Sequence, residues 1–582
     1  MNISQVIYTE SNDCQDCYKC VRNCPVKAIK ITNNCASVID ELCIACGKCV
    51  EVCPAKAKRV RSDVDVAKYL ISNGKKVVLS LAPSWVNAFK GKSSEAVIAA
   101  LKKLGFYSIS ETALGAEMVN RYTRQYLSSN KPGVIVSSAC PVVVDLINKY
   151  YPGSASLILS VFSPMLAHAK YLKEYYKDEV KVVFAGPCIA KKRESDRNQE
   201  LVSASITFQE LQQWLDEEGI DVDKQVKEKL CFEPVVAVSG AIYPVEGGMI
   251  EGVNKDRSLN DVRFMSFSGL DAVKQVLQNI PQWNPNSKIF IELLACPGGC
   301  INGPSLRSNE SLAQRQNQVL ELTGRKQVQV GVGKELTSGI KISASQQYEV
   351  KASSKEYSDS EIDGALRAVG KQSPADELNC GGCGYDSCRA FAAAMLDGKA
   401  ESNMCVSYMR RVAHDKATVL LQRMPSGVII VDDNLKIVEC NQNVTKMLGS
   451  EIQSIYDANP GMAGANIQKI LPFYKLFSTV LSTGTDLLDK DVKYNGHILK
   501  VSIFTIQPHK IVGAIIRDLN NPLVRSEEIV GRTKSVITEN LETVQQIAYL
   551  LGENASRTET MLNSIMELFK ENQSGEDETF SY

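Results

Sequence analysis

Five short apolar runs punctuate the middle of the chain: KVVLSLAPS (76–84), GVIVSSACP (133–141), KVVFAGPC (181–188), PVVAVSGAIY (234–243) and KIFIELLACPGGC (288–300). Runs of this length bounded by Pro or Gly predict buried strands. Helical stretches separate them, so residues 63–350 read as an α/β domain with loops of chemical interest at the strand ends. Farther on, Met424 to Gly449 reads as a strand, an Asp-Asp-Asn turn, a second strand and an Asn leading into a helix. GHILKVSIF (496–504) and IVGAIIRDL (511–519) add strands, predicting a second small α/β unit over residues 416–520. From Ile537 apolar or small residues recur at 541, 544, 548, 551, 555, 562, 565 and 569, with Thr558 out of character. Steps of four and three make a heptad seam, which predicts a two-stranded coiled coil over residues 521–582 and hence a homodimer. A helix packed on its own preceding domain is the alternative. The polar stretch from Gln347 to Glu361 reads as a linker.

At 582 residues the chain exceeds what one hydrophobic core organises, so several domains are expected. Its 66 basic and 66 acidic residues cancel, which points to neither nucleic acid nor an anionic membrane surface. Apolar runs of about 18 residues, long enough to span a bilayer, are missing from the sequence. Met1 to Glu10 lacks the charged start and apolar run of a signal peptide, so a cytoplasmic location is expected. In that compartment 19 cysteines argue for metal sites over disulfides. Sixteen fall into quartets, leaving Cys35, Cys231 and Cys440 as ordinary thiols.

Cys14, Cys17, Cys20 and Cys24-Pro25 repeat with the same spacing as Cys43, Cys46, Cys49 and Cys53-Pro54. This duplication resembles the two-cluster ferredoxins of bacteria and covers residues 1–62. The resemblance implies two crossed 4Fe–4S clusters, one on Cys14, Cys17, Cys20 and Cys53, the other on Cys43, Cys46, Cys49 and Cys24. Crossing would tie the halves of a segment too small for a sufficient core of its own. Paired four-cysteine zinc sites and a purely structural cluster pair are the alternatives. A third quartet, Cys380, Cys383, Cys388 and Cys405, resembles a small 4Fe–4S domain found in corrinoid-protein and electron-transport subunits, here over residues 362–415. Zinc remains its rival, because the module is short and is expected to stand apart.

Cys140, Cys188, Cys296 and Cys300 lie too far apart along the chain for a compact finger, so only a folded domain could gather them. The islands SSACP, GPCIAKK and ELLACPGGC, in that order, resemble the H-cluster motifs of the iron–iron (FeFe) hydrogenases. The family resemblance implies that these cysteines hold a fourth cubane, with Cys300 bridging it to a diiron unit carrying CO and cyanide. It also implies a diiron pocket built by Ala82, Pro83 and Ser84, by Lys191 bonded to a cyanide, and by Tyr243 in the GAIYPVEGGMIEG loop. A solvated surface lysine beside Lys192 and Arg193 is the competing reading of Lys191.

Several family positions differ. Ala139 stands where the proton-donating cysteine is found. Gly186 and Leu294, expected on the wall of the cofactor pocket, replace methionines, and Met165 replaces a glutamine. Tyr122-Thr123 occupies the place of an acidic pair, and Asn302-Gly303-Pro304 shortens a Gly-rich tail. Ligands retained and a proton path lost resemble the sensory branch of the family. Residues 416–520 resemble a PAS domain. The combined expectation is a slow hydrogen or redox sensor that binds and reversibly splits dihydrogen. Protons, ferredoxin or another redox protein, and a separate signalling protein such as a kinase or phosphatase would be its partners. A catalytic ferredoxin-linked hydrogenase and a non-catalytic iron–sulfur scaffold are the rivals.

Overall fold

A computed structural model describes residues 5–129, 131–225, 230–283, 286–306, 309–327, 339–344 and 355–519, with a few helical positions between 534 and 545. The chain divides into two units, Met1–Met409 and Arg410–Tyr582.

Two parallel sheets organise the middle of the first unit. One runs β2 (Ser108–Glu111), β1 (Lys76–Leu81), β4 (Val180–Gly186), β5 (Ala204–Thr207). The other runs β6 (Val262–Ser268), β7 (Lys288–Leu294), β3 (Gly133–Val136). Helices cover these strands, so β1, β4 and β7 are buried almost throughout and read as continuous apolar runs. Four of the five expected strands form.

PVVAVSGAIY does not form a strand; its only regular element is a 3₁₀ turn at Gly240–Ile242. Its amides are taken by the carboxylates of buried Glu111 and half-buried Glu117 instead of a sheet. Ala237 N donates to Glu111 Oε2 at 3.1 Å, while Val238, Ser239 and Gly240 donate to Glu117 Oε1 at 2.6, 2.7 and 3.2 Å. Conversely, β2, β5 and β6 carry serines, a threonine and an arginine that hide them from an apolar-run search. The interior meets some of these polar groups: Ser110 Oγ bonds buried His168 Nε2 at 3.0 Å, and Ser80 Oγ bonds its Nδ1 at 2.8 Å. Burial with only neutral neighbours holds His168 down to about 3.

In the amino-terminal segment, Ile7–Thr9 pairs antiparallel with Lys58–Val60, and Ile29–Thr32 with Cys35–Val38. Two short helices, Lys19–Asn23 and Lys48–Val52, repeat the duplication. The third cysteine module does not stand apart from this segment. Its Tyr385, Phe391, Met404 and Cys405 share one core with Val6, Val21, Ile29 and Ile31. Ile31 N donates to Lys399 O and Asn33 N to Glu401 Oε1, both at 2.9 Å. A module this short gains a core by sharing one. The linker expected at Gln347–Glu361 ends in a helix start: Ser358 and Glu361 form a reciprocal cap on Asp359–Ala368.

The second unit holds a five-stranded antiparallel sheet, ordered β9 (Ile437–Cys440), β8 (Gly427–Asp432), β12 (Ile511–Asp518), β11 (His497–Gln507), β10 (Leu487–Tyr494). Helices Gln442–Leu448, Ser450–Ala458 and Lys475–Thr483 contribute Val444, Ile452 and Phe477 to its core. Of the expected heptad seam only Leu541 is described, and positions 544 to 569 lie outside the described residues. Among the described residues no helix is long and apolar enough to cross a membrane.

Candidate metal centres and the central cavity

In a parallel sheet, the loops after the strands collect at one end, and ligands bind there. Here both sheets deliver their ends to the same place. The loops after β1, β4, β3 and β7 supply Pro83 and Ser84, Cys188, Cys140, and Cys296, all lining one cavity together with Cys300. Four cysteines separated along the chain thus meet in the fold. Gly299 makes the last approach possible: its φ is +103°, and a Cβ there would lie 2.2 Å from Pro244 O.

The cavity fits a metal cluster with further ligands. Burial pushes the Cys188 thiol up to about 11 and Cys300 well up, so thiolates at these positions need a strong positive charge such as iron. Ser84 is 1 % exposed, and its Oγ has no hydrogen-bond partner although it lines the cavity. A buried orphan hydroxyl calls for an acceptor inside the space it faces. Lys191 also lines the cavity, held by Ser163 Oγ at 2.9 Å and Glu194 Oε2 at 2.6 Å. It is not part of a solvated basic face. Lys192 is wholly buried against Glu210 and Asp63, and Arg193 is buried against Asp145 and Asp40.

Ala82, Tyr243 and Leu294 line the cavity, with the Tyr243 hydroxyl donating to Asn120 Oδ1 at 2.7 Å. Gly186 does not line it. A Cβ at Gly186 would lie 2.5 Å from the ring of Phe184, and Phe184 lines the wall instead. Ala139 and Met165 complete an apolar side.

Sequence reasoning passed over Glu292, although one carboxylate inside the run IFIELL was a visible signal. It lines the cavity and accepts from Gly247 N at 2.7 Å, Met249 N at 3.1 Å and Ser266 Oγ at 3.0 Å. Burial outweighs these bonds and raises its carboxyl to about 7.

Two smaller voids lie in the amino-terminal segment. Cys14, Cys17, Cys20 and Cys53 line one; Cys24, Cys43, Cys46 and Cys49 line the other. The fourth cysteine of each run therefore stands with the first three of the other. Among the described residues no three His, Cys, Asp or Glu side chains close on a single ion. The Cys35 thiol lies within hydrogen-bond reach of the Cys14 thiol. Burial raises Cys14, but the Ala36 and Asp16 amides and this thiol hold it below its ordinary value.

The second void adjoins the central cavity. A Cβ on Gly47, whose φ is +79°, would lie 2.8 Å from both Ile189 and Pro304, and Cys46 packs in one core with Cys140 and Cys188. Lys149 Nζ and Arg193 Nη1 both donate to the Cys43 carbonyl, at 2.7 and 2.5 Å, pinning this loop to the central domain.

In the third quartet, burial and the neighbouring Cys405 and Cys380 raise the Cys383 thiol. Cys388 opens the helix Cys388–Leu396, its N–H bonded to Asn379 Oδ1 at 2.7 Å. Tyr385 beside it is 5 % exposed, with an unpartnered hydroxyl. Burial, then the thiols of Cys383 and Cys24, push that phenol up.

Residues 75–304 match the family described as the iron only hydrogenase large subunit, C-terminal domain. Residues 6–54 match a 4Fe-4S dicluster domain, and 376–407 a family described as a Fe-S cluster. The chain is 26% identical over 302 residues to iron hydrogenase 1 of Clostridium pasteurianum, covering 42% of this chain and 52% of that one. It is 24% identical over 318 residues to a cytosolic Fe-S cluster assembly factor of Culex quinquefasciatus, covering 44% and 66%. The chain thus spans about half to two thirds of these relatives. An FeFe-hydrogenase structure from Chlamydomonas reinhardtii aligns with a TM-score of 0.36 and 18% identity, over 45% of this chain and 88% of that one. With its matching domains for iron–sulfur clusters, the chain is an FeFe-hydrogenase-like protein.

Proposed function

We propose that this protein binds dihydrogen and splits it reversibly and slowly at an H-cluster, as a hydrogen or redox sensor. The observation that carries the reading is the wall of the central cavity. It joins four cysteines, the unpartnered Ser84 hydroxyl and a clamped Lys191 to an apolar side at Ala139. When bound, the diiron unit supplies the centre at which dihydrogen gives two protons and two electrons. Cys140, Cys188, Cys296 and Cys300 would hold the cubane. Lys191 and Ser84 would donate to the cyanide side, and Pro83, Tyr243 and Leu294 would exclude water. Ala139 carries no proton. Glu292 is the wall carboxyl that holds one near neutral pH and passes it between the cavity and Ser266. One relay of modest reach in place of a dedicated thiol supports low turnover.

In this reading Cys14, Cys17, Cys20 and Cys53, and Cys24, Cys43, Cys46 and Cys49, carry two cubanes that exchange electrons with a ferredoxin or another redox protein. Cys380, Cys383, Cys388 and Cys405 carry a further one. The five-stranded unit acts as a PAS domain, and the heptad seam dimerises it toward a separate kinase or phosphatase in the cytoplasm. Infrared spectra of protein matured with the diiron cofactor test the core of the proposal: CO and cyanide bands that respond to hydrogen support it. The likeness to an Fe–S assembly factor favours a second reading, a scaffold without the diiron unit. Spectra without such bands after maturation would select it.

A further inference from the structure

The third cysteine quartet meets the amino-terminal pair through a built junction. Arg22 lies between the ligands Cys20 and Cys24 in sequence. Its guanidinium donates to the Cys17 carbonyl at 2.8 Å and to the Gly382 carbonyl, between Cys380 and Cys383, at 3.4 Å. Lys27 Nζ donates to Gly384 O at 2.6 Å. The loops touch at the backbone: a Cβ on Gly384, whose φ is +93°, would lie 3.0 Å from Arg22 N and 3.1 Å from Val21 Cγ1. Consecutive Cα atoms are about 3.8 Å apart, so Cys383 and Cys20 stand within about 15 Å of each other. Tyr385 fills the joint. It is buried in one core with Cys20, Cys24, Cys383 and Cys405, and its hydroxyl has no partner. The Cys46 void in turn adjoins the central cavity.

We infer that the Cys380–Cys405 centre is the far station of the electron route, reduced through the amino-terminal pair across the Tyr385 junction, with Arg22 and Lys27 as positioning residues. This rests on the cluster assignments under the proposed function. Oxidation of dihydrogen releases two protons and two electrons. Each electron reduces one cubane, and the Cys380–Cys405 centre takes one of them. Two cations between neighbouring anionic clusters favour their reduced forms. With a cluster bound, its sulfur would be an acceptor open to the Tyr385 hydroxyl, and such a bond would raise the cluster's potential. The station has a structural outlet, because its last ligand, Cys405, directly precedes the helix Val406–Arg423.

Electron paramagnetic resonance of the anaerobically reconstituted full chain tests this. Reduction with dithionite should give spin–spin interaction between the Cys380–Cys405 centre and the amino-terminal pair, lost in Cys388→Ser. Tyr385→Phe, with unchanged iron content, should lower the midpoint potential of that centre. Arg22→Gln combined with Lys27→Gln should slow its reduction by hydrogen at least tenfold, while reduction by a small mediator keeps its wild-type rate. Absence of spin interaction, or an unchanged potential in Tyr385→Phe, overturns the inference. A coupled spectrum with dithionite but no reduction by hydrogen supports the junction and overturns the dihydrogen reading.

Discussion

The amino-terminal voids and the central cavity are both lined by four cysteines, but they are built in opposite ways. The voids come from a run repeated between Cys14 and Cys53, and their open space is about 350 and 300 Å³. The cavity comes from strand ends as distant in sequence as Cys140 and Cys300 and has about 930 Å³ of open space, solvent included, with Ser84, Lys191 and Glu292 on its wall. A site made by local sequence closes around a small space lined chiefly by its own segment. The site made by tertiary structure has room and polar groups beyond its cysteines, which chemistry on a small molecule requires.

The sharpest way to separate the two is to remove one cysteine from each. Cys300→Ser should abolish hydrogen turnover and the CO and cyanide bands while both amino-terminal cubanes remain. Iron analysis with infrared spectroscopy checks this. Intact protein should hold about 16 iron atoms in four cubanes and two more after maturation. In the voids, Cys53→Ser should lose the cluster of Cys14, Cys17 and Cys20 and spare that of Cys43, Cys46 and Cys49. Loss of the other cluster would refute the crossing.

Glu292→Gln should lower turnover by about 10²-fold, within the range of a single acid–base group. The carboxyl is raised to about 7, so its protonated fraction falls tenfold per pH unit above that value. Hydrogen evolution should decline above pH 7 in the wild type, and Gln should erase that limb of the profile. Hydrogen oxidation needs the ionised form and should lose rate below pH 7. A smaller gain is expected from Ala139→Cys, which adds a thiol to the apolar side while Met165 and Leu294 remain. An unchanged rate would mean that another step limits. The smallest effect should come from Cys388→Ser: one cubane lost and turnover retained, measured by cluster spectra and hydrogen evolution.

Legibility followed the same divide. All three groups of clustered cysteine spacings could be seen in the sequence, because ligand spacing in a short loop is local. β1, β3, β4 and β7 were visible because strands buried on both faces are apolar throughout. PVVAVSGAIY misled for a related reason: its apolar side chains are buried, yet Glu117 and Glu111 claim the amides a strand would need. Gly186 was expected on the cavity wall, and the ring of Phe184, two residues earlier, stands there.

By itself the sequence determined the repeated cysteine runs and that the middle of the chain is α/β, while the missing thiol at Ala139 is what the family resemblance implies. The first two follow from residue identity, spacing and hydrophobic period. Tertiary structure decided that Glu292 faces the cavity, that Cys35 touches Cys14, that Lys191 is clamped by Glu194, and that the third quartet is docked beside the first two. Each depends on which groups of distant segments come within a few ångströms of one another, and on burial that sets their charge.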